Sequence, residues 1–125
     1  MPTPLSRALL AGAAFDALFA VAILAVPGLS ASLLGIELPP DPIYLDLVGV
    51  LLLILAGIYA AASRAPGRYP AVAPVSAAGR LFGCALLTRA WATGHPRAFL
   101  ILGIADLVLA VATAAAWWRE HRLSA

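Results

Sequence analysis

The stretch ALLAGAAFDALFAVAILAV, from Ala8 to Val26, contains one ionisable residue, Asp16, among apolar and small side chains. A helix of about 20 apolar residues is long enough to cross the ~30 Å hydrocarbon core of a bilayer. An ionisable group near the centre of that core is costly, so it usually faces other helices, has a partner or serves a function. The stretch therefore predicts a membrane-spanning helix that turns one carboxyl group away from lipid. Its apolar length exceeds that of a signal peptide, so we expect this helix to be retained.

Three more apolar segments have spanning length, and they run from Ile43 to Ala62, from Val75 to Thr93 and from Ala98 to Trp118. The chain is 63% hydrophobic and 11% charged, whereas soluble domains average roughly 25% charged residues. The segments are continuously apolar, which favours helices over the alternating strands of a barrel. We therefore predict an all-α integral membrane protein. It is expected to be an antiparallel four-helix bundle, a single membrane domain over residues 1–125 with helices at about 8–26, 43–62, 75–93 and 98–118.

The distribution of arginine predicts the orientation. The side that holds both termini carries most of the basic charge, in Arg7, Arg64, Arg68, Arg119 and Arg122. The opposite connections hold Arg97 and the acids Glu37 and Asp41. The positive-inside rule therefore places both termini in the cytoplasm, with the chain in a bacterial inner membrane. A nucleic-acid partner is not expected, because the sequence has no clustered basic face.

Aromatic residues lie near the predicted ends of the spans, where Tyr and Trp rings favour the membrane–water interface. The predicted interface anchors are Tyr44, Tyr59, Trp91, Trp117 and Trp118. The outer loop from Pro27 to Pro42 is mostly apolar between Leu29 and Leu38. This pattern predicts a short interfacial helix capped by Ser30 or Ser32.

Asp16, Arg80 and Asp106 each interrupt an apolar segment, and we predict that they form one buried charge cluster. Measured from the midpoint of each segment, Asp16 lies within ~2 Å of the bilayer centre, Asp106 ~3 Å to the outer side and Arg80 ~6 Å to the inner side. An arginine side chain is long enough to bridge that difference. Two aspartates and one arginine leave a formal charge of minus one, so we expect one carboxyl group to hold a proton. The cluster fits two roles, a structural one that fixes helix order and a proton relay.

Small residues occur at helical spacing around these charges and on the second segment. Such positions let helices approach closely in lipid, where packing replaces the hydrophobic effect as the driving force. The predicted helix-packing glycines are Gly12, Gly49, Gly57, Gly79, Gly83 and Gly103.

Catalytic and metal sites have little support in this sequence. His95 lies in an outer turn and His121 in the opposite tail, so they cannot share one metal or one haem. Cys84 is the only cysteine, which excludes an internal disulfide and a CxxC pair. We therefore predict no catalytic residues, no metal and no cofactor.

The order of features resembles the small four-helix bacterial membrane proteins grouped as DoxX-like. The resembling features are Asp16, Pro27-Gly28, Leu34-Gly35, the Pro-x-Asp-Pro approach to the second helix, Gly49 and Gly57, Gly79-Arg80-Leu81, and Gly103-x-x-Asp106-Leu107. Some DoxX relatives are subunits of quinone-reducing complexes, so the resemblance implies an accessory or redox-associated role. It carries no quinone-binding or haem-binding residue over to this chain.

Three functions fit these features. The first is a non-catalytic inner-membrane protein, acting as an accessory subunit or as a binder of a lipid or another apolar molecule. The second is a small proton-coupled transporter that uses Asp16, Arg80 and Asp106. The third is a membrane enzyme acting on a lipid-like substrate. Expected partners are membrane lipids and either a second copy of the chain or a larger membrane complex.

Overall fold

The computed structural model describes residues 2–123 and is helical, with no strand among them. It contains five α-helices and one short 3-10 turn. The elements are α1 Pro4–Ala25, α2 Pro27–Leu34, α3 Ile43–Arg64, the 3-10 turn Pro66–Arg68, α4 Val72–Ala92 and α5 Arg97–Leu123. The all-α class predicted from the sequence is confirmed.

Three of these helices, α1, α3 and α5, are long and apolar enough to cross a membrane. The chain is therefore a helical membrane protein. The fourth long helix, α4, has 21 residues but contains no stretch of spanning length as apolar as those in α1, α3 and α5. Arg80, Arg89, Pro74 and Ser76 lower the hydropathy along it. The composition of α4 alone does not identify it as a span.

Each long helix extends beyond at least one of its predicted ends. Thr3 caps α1 by accepting a hydrogen bond from the Ser6 amide at 3.1 Å, so α1 starts at Pro4 rather than Ala8. Pro74 lies in the first turn of α4, where a missing amide proton breaks no helical hydrogen bond. The α5 helix continues through the polar tail to Leu123 instead of ending at Trp118.

The outer loop contains the predicted short helix, α2, but the predicted caps are wrong. The helix starts at Pro27 without a side-chain cap and ends at Leu34. Gly35 follows as the C-cap, and its φ of 71° is a left-handed conformation that glycine adopts readily. The Ser30 hydroxyl instead donates to the Ala22 and Val26 carbonyls, at 2.8 and 2.9 Å. These bonds attach α2 to the end of α1.

The long helices form two closely packed pairs, α1 with α3 and α4 with α5. Contacts between α1 and α5 join the pairs, whereas α3 and α4 touch only sparsely. All four long helices meet at the end that carries the chain termini. A cluster there, called the terminal core, consists of Leu5, Leu9, Ala62, Ala73 and Ala116. The four long helices thus pack together at the terminal end and are separated along part of the α3–α4 side.

The predicted packing glycines differ in their surroundings. A Cβ atom at Gly49 would lie 2.7 Å from the Leu24 Cγ atom, so this glycine lets α1 and α3 approach closely. A Cβ atom at Gly103 would lie 3.4 Å from the Cys84 carbonyl oxygen across the α4–α5 contact. In contrast, a Cβ atom at Gly57 or Gly79 would meet no atom within 4 Å. Those two positions therefore do not serve helix packing within this chain.

Gly49→Leu should destabilise the fold, because the larger side chain displaces Leu24 at the α1–α3 contact. Overpacking of this kind costs about 2 kcal/mol. Gly57→Leu on the same helix is the matched control, since it has space around it and should leave stability unchanged. Thermal unfolding in detergent measures both, and equal melting temperatures for the two variants would contradict the assigned packing.

Candidate functional site

Arg80 forms ion pairs with both aspartates of the charge cluster. Its Nη2 atom lies 3.1 Å from Asp16 Oδ2, and its Nη1 atom lies 3.1 Å from Asp106 Oδ1. The Nη2 group also donates to the Gly12 carbonyl oxygen at 3.2 Å. One guanidinium group on α4 therefore binds side chains on α1 and α5 at the same time.

The cluster is buried, although not uniformly. The side chains of Arg80 and Asp16 are 7% and 6% exposed, whereas that of Asp106 is 18% exposed. Buried ions need a partner because desolvation costs several kcal/mol for each ion. Asp106 is thus the member of the cluster that is most accessible from outside the bundle.

Two aromatic rings complete the surroundings of the guanidinium group. Its Cζ atom lies 5.4 Å from the centroid of the Tyr59 ring and 5.9 Å from that of Phe15. Tyr59, one of the predicted interface anchors, is 9% exposed, so most of its ring is covered by other helices. The ring faces the charge cluster because the helical phase of α3 turns it toward α4, and such cation–π contacts stabilise a desolvated cation.

Two glycines make room for the charged side chains. A Cβ atom at Gly12 would lie 2.9 Å from Arg80 Nη2, and one at Gly83 would lie 2.7 Å from Asp106 Oδ2. Both belong to the glycines that the sequence predicts for helix packing. In the structure they accommodate the ion pairs themselves.

A cavity of about 320 Å³ opens between α3 and α4 and reaches the charge cluster. We call it the α3–α4 groove. Its apolar walls come from Leu52, Leu55 and Val75, with Gly79 and Tyr59 beside them. Asp16, Arg80 and Asp106 complete the lining. The groove therefore combines an apolar entrance with a charged floor, which is the arrangement of a site for an amphipathic molecule.

The amino-acid sequence alone does not distinguish the α3 residues that line the groove. Leu52, Leu55 and Tyr59 share one helical face, but α3 is apolar on its other faces as well. Only the separation of α3 from α4 distinguishes this face. The one available signal was Tyr59, a polar aromatic residue within a helix of mostly aliphatic side chains.

The other predicted anchors lie away from the groove. Tyr44, Trp91 and Trp118 are exposed, whereas Trp117 is half-buried against the terminal core. The Trp117 Nε1 group is buried and has no hydrogen-bond partner within residues 2–123. A second cavity of about 350 Å³ lies beside it at the terminal end of the bundle.

The remaining reactive side chains are dispersed. His95 lies in the turn before α5 and contacts Phe99 in the first turn of that helix. His121 packs against Trp117 near the other end of α5. Cys84 is half-buried on α4, with its Sγ atom 4.0 Å from the Thr88 hydroxyl oxygen. Among the described residues, no group of three or more His, Cys, Asp and Glu side chains is placed to hold a metal ion.

Comparison of the chain with protein-family profiles, with curated proteins and with solved structures finds no match. The site is therefore interpreted from its own geometry.

Removal of the guanidinium group should destabilise the bundle, because it leaves two buried acids without their common partner. Removal of one partner from a buried ion pair costs about 3 kcal/mol of folding stability. We expect Arg80→Ala to show that loss in thermal unfolding, and Arg89→Ala, an exposed arginine on the same helix, to show little change.

The triple variant Asp16→Asn, Arg80→Gln and Asp106→Asn should recover much of the lost stability. It replaces the charges by amide groups that form hydrogen bonds at a lower desolvation cost. An Arg80→Ala protein as stable as the unmodified chain would show that the cluster contributes nothing to the fold.

Proposed function

We propose that this chain is a non-catalytic membrane protein that binds a lipid-like molecule in the α3–α4 groove. The observation that carries the proposal is the position of the charge cluster at the floor of a groove with apolar walls. A hydrocarbon chain fits beside Leu52, Leu55 and Val75, while a polar headgroup reaches the cluster. This reading develops the first of the three functions that fit the sequence.

The chemistry of the groove supports binding over catalysis. Its lining contains no cysteine, serine or histidine, and Arg80 is engaged by Asp16 and Asp106. The groove lining therefore lacks the cysteine or serine nucleophile and the histidine base of a common catalytic set. The partial exposure of Asp106 favours a second candidate, a proton-coupled transporter that uses the same cluster.

We further propose that α4 is a fourth membrane span and that the chain is an antiparallel four-helix bundle. Its 21 residues cover about 31 Å at 1.5 Å per residue, and the ion pairs of Arg80 reduce the cost of burying that charge. With four spans, the arginine distribution favours cytoplasmic termini in a bacterial inner membrane. The DoxX-like resemblance agrees with this arrangement.

Cysteine-accessibility mapping tests the topology in a Cys84→Ala background. Arg68→Cys lies before α4 and His95→Cys lies after it, so a spanning α4 places them on opposite sides of the membrane. An impermeant maleimide added outside intact cells should label His95→Cys and leave Arg68→Cys unlabelled until the membrane is opened. Labelling of both from one side would show that α4 does not span.

Photolabelling tests the occupancy of the groove. A long-chain alcohol carrying a diazirine, incorporated with the protein into phosphatidylcholine nanodiscs, should label groove peptides containing Leu52, Leu55 or Val75. Gly79→Leu should reduce this labelling strongly, because the new side chain occupies the groove without a clash in the bundle.

Gly57→Leu is the matched control for this experiment. It makes the same substitution at a glycine that is equally free of neighbours but does not line the groove. Its labelling should equal that of the unmodified protein. Uniform labelling of all lipid-facing peptides, unchanged by Gly79→Leu, would exclude the groove as a binding site.

A further inference from the structure

The charges at the floor of the α3–α4 groove do not balance. Asp16 and Asp106 face a single guanidinium group, so the fully ionised cluster carries a formal charge of minus one. Arg80 is the only basic residue among those that line the groove. A site of low dielectric constant resists a net charge, and the cluster therefore needs one more positive charge.

The hydrogen bonds of the cluster leave acceptors for such a charge. Asp16 uses Oδ2 and Asp106 uses Oδ1 to accept from Arg80. Within residues 2–123, the second oxygen of each carboxylate accepts no hydrogen bond. The Arg80 Nη1 and Nη2 groups, in contrast, already donate to Asp106, Asp16 and the Gly12 carbonyl oxygen. The floor thus offers unused acceptors, whereas the terminal nitrogens of its cation are engaged.

The groups that face the cluster come from all four long helices. They are Asp16 and Phe15 on α1, Tyr59 on α3, Arg80 on α4 and Asp106 on α5. Tyr59 lines the groove itself. An aromatic face and two carboxylate oxygens are the groups that recognise an ammonium ion.

We propose that the α3–α4 groove binds an amphiphile with a cationic headgroup, and that the cation takes the place of a proton at the charge cluster. This inference rests on the proposed function, since it names the headgroup class of the molecule in the groove. Before binding, one carboxyl group holds a proton and the cluster is neutral. On binding, that O–H bond breaks, the proton passes to the aqueous phase, and the ammonium group pairs with the carboxylate. The charge in the site is the same before and after.

An anionic headgroup is disfavoured by the same geometry. It would have to displace an aspartate from Arg80 and would raise the negative charge of the floor. A neutral alcohol can donate one hydrogen bond to a carboxylate, but it releases no proton. The three headgroup classes therefore give different results in one measurement.

The experiment is competition against the diazirine alcohol in phosphatidylcholine nanodiscs. The competitors share one chain length and differ in their headgroup: dodecylammonium, dodecanol and dodecyl sulfate. At about pH 8 we expect dodecylammonium to displace the probe at a mole fraction roughly tenfold below that of dodecanol, and dodecyl sulfate to be the weakest. An alkylammonium group has a pKa of about 10.4 and therefore stays charged at the pH values of this experiment. Any effect of pH on binding then comes from the protein.

The pH dependence tests the exchange. If one proton leaves for each cation bound, the apparent affinity for dodecylammonium falls as pH falls, by up to about tenfold per pH unit. Dodecanol should show no such dependence. Asp106→Asn should abolish both the cation preference and its pH dependence, because the remaining Asp16 and Arg80 pair is neutral. Asp46→Asn makes the same change of charge at an exposed acid outside the groove and should retain both.

Each other outcome has a definite meaning. If dodecanol or dodecyl sulfate displaces the probe as well as dodecylammonium does, the groove is not selective for cations and the inference fails while the proposed function stands. A cation preference that is equal at about pH 5 and pH 8 overturns the proton exchange. Absence of groove labelling by the probe contradicts the proposed function itself. The headgroup comparison uses the unmodified protein, so it remains decisive even if Asp106→Asn does not fold.

Discussion

The bridge that Arg80 makes between Asp16 and Asp106 determines how the two helix pairs sit together. The α1–α3 and α4–α5 pairs are each held by close apolar packing, but α4 has little direct contact with α1. The guanidinium group spans that distance with one hydrogen bond to each carboxylate and a third to the Gly12 carbonyl. The bonds to Asp16 and to the Gly12 carbonyl are buried, so in a bilayer their loss must be compensated within the protein.

The same bridge explains why the groove lies between α3 and α4. Arg80 connects α4 to α1 and α5, whereas α3 packs mainly on α1 and touches α4 only sparsely. The sparse α3–α4 contact leaves the cavity in which Tyr59 and Arg80 face each other. The apolar walls and the charged floor of the groove therefore both follow from the position of Arg80 between the helices.

The sequence identifies Asp16, Arg80 and Asp106 as candidates for one cluster, because burial of an ionisable group in an apolar segment has a large cost. It predicts the helices from length and hydropathy, with errors at ends where polar residues continue the helix, as beyond Trp118. It does not predict the groove, which exists because α3 and α4 touch only sparsely. Gly49 and Gly57 look equivalent in sequence, yet only Gly49 has a partner helix against it. The contact of the Tyr59 ring with Arg80 is likewise not visible in the sequence, because packing sets the rotation of α3.

If a cation replaces a proton at the charge cluster, as proposed, the helices must stay packed during the exchange. The terminal core of Leu5, Leu9, Ala62, Ala73 and Ala116 joins the four long helices by apolar contacts. Asp16 and Gly12 hold Arg80 through buried hydrogen bonds, whereas Asp106 is the more exposed partner. In the proposed binding mode, the buried pair therefore keeps the helices together while the accessible carboxylate pairs with the ligand. Under that proposal, one cluster serves both stability and binding.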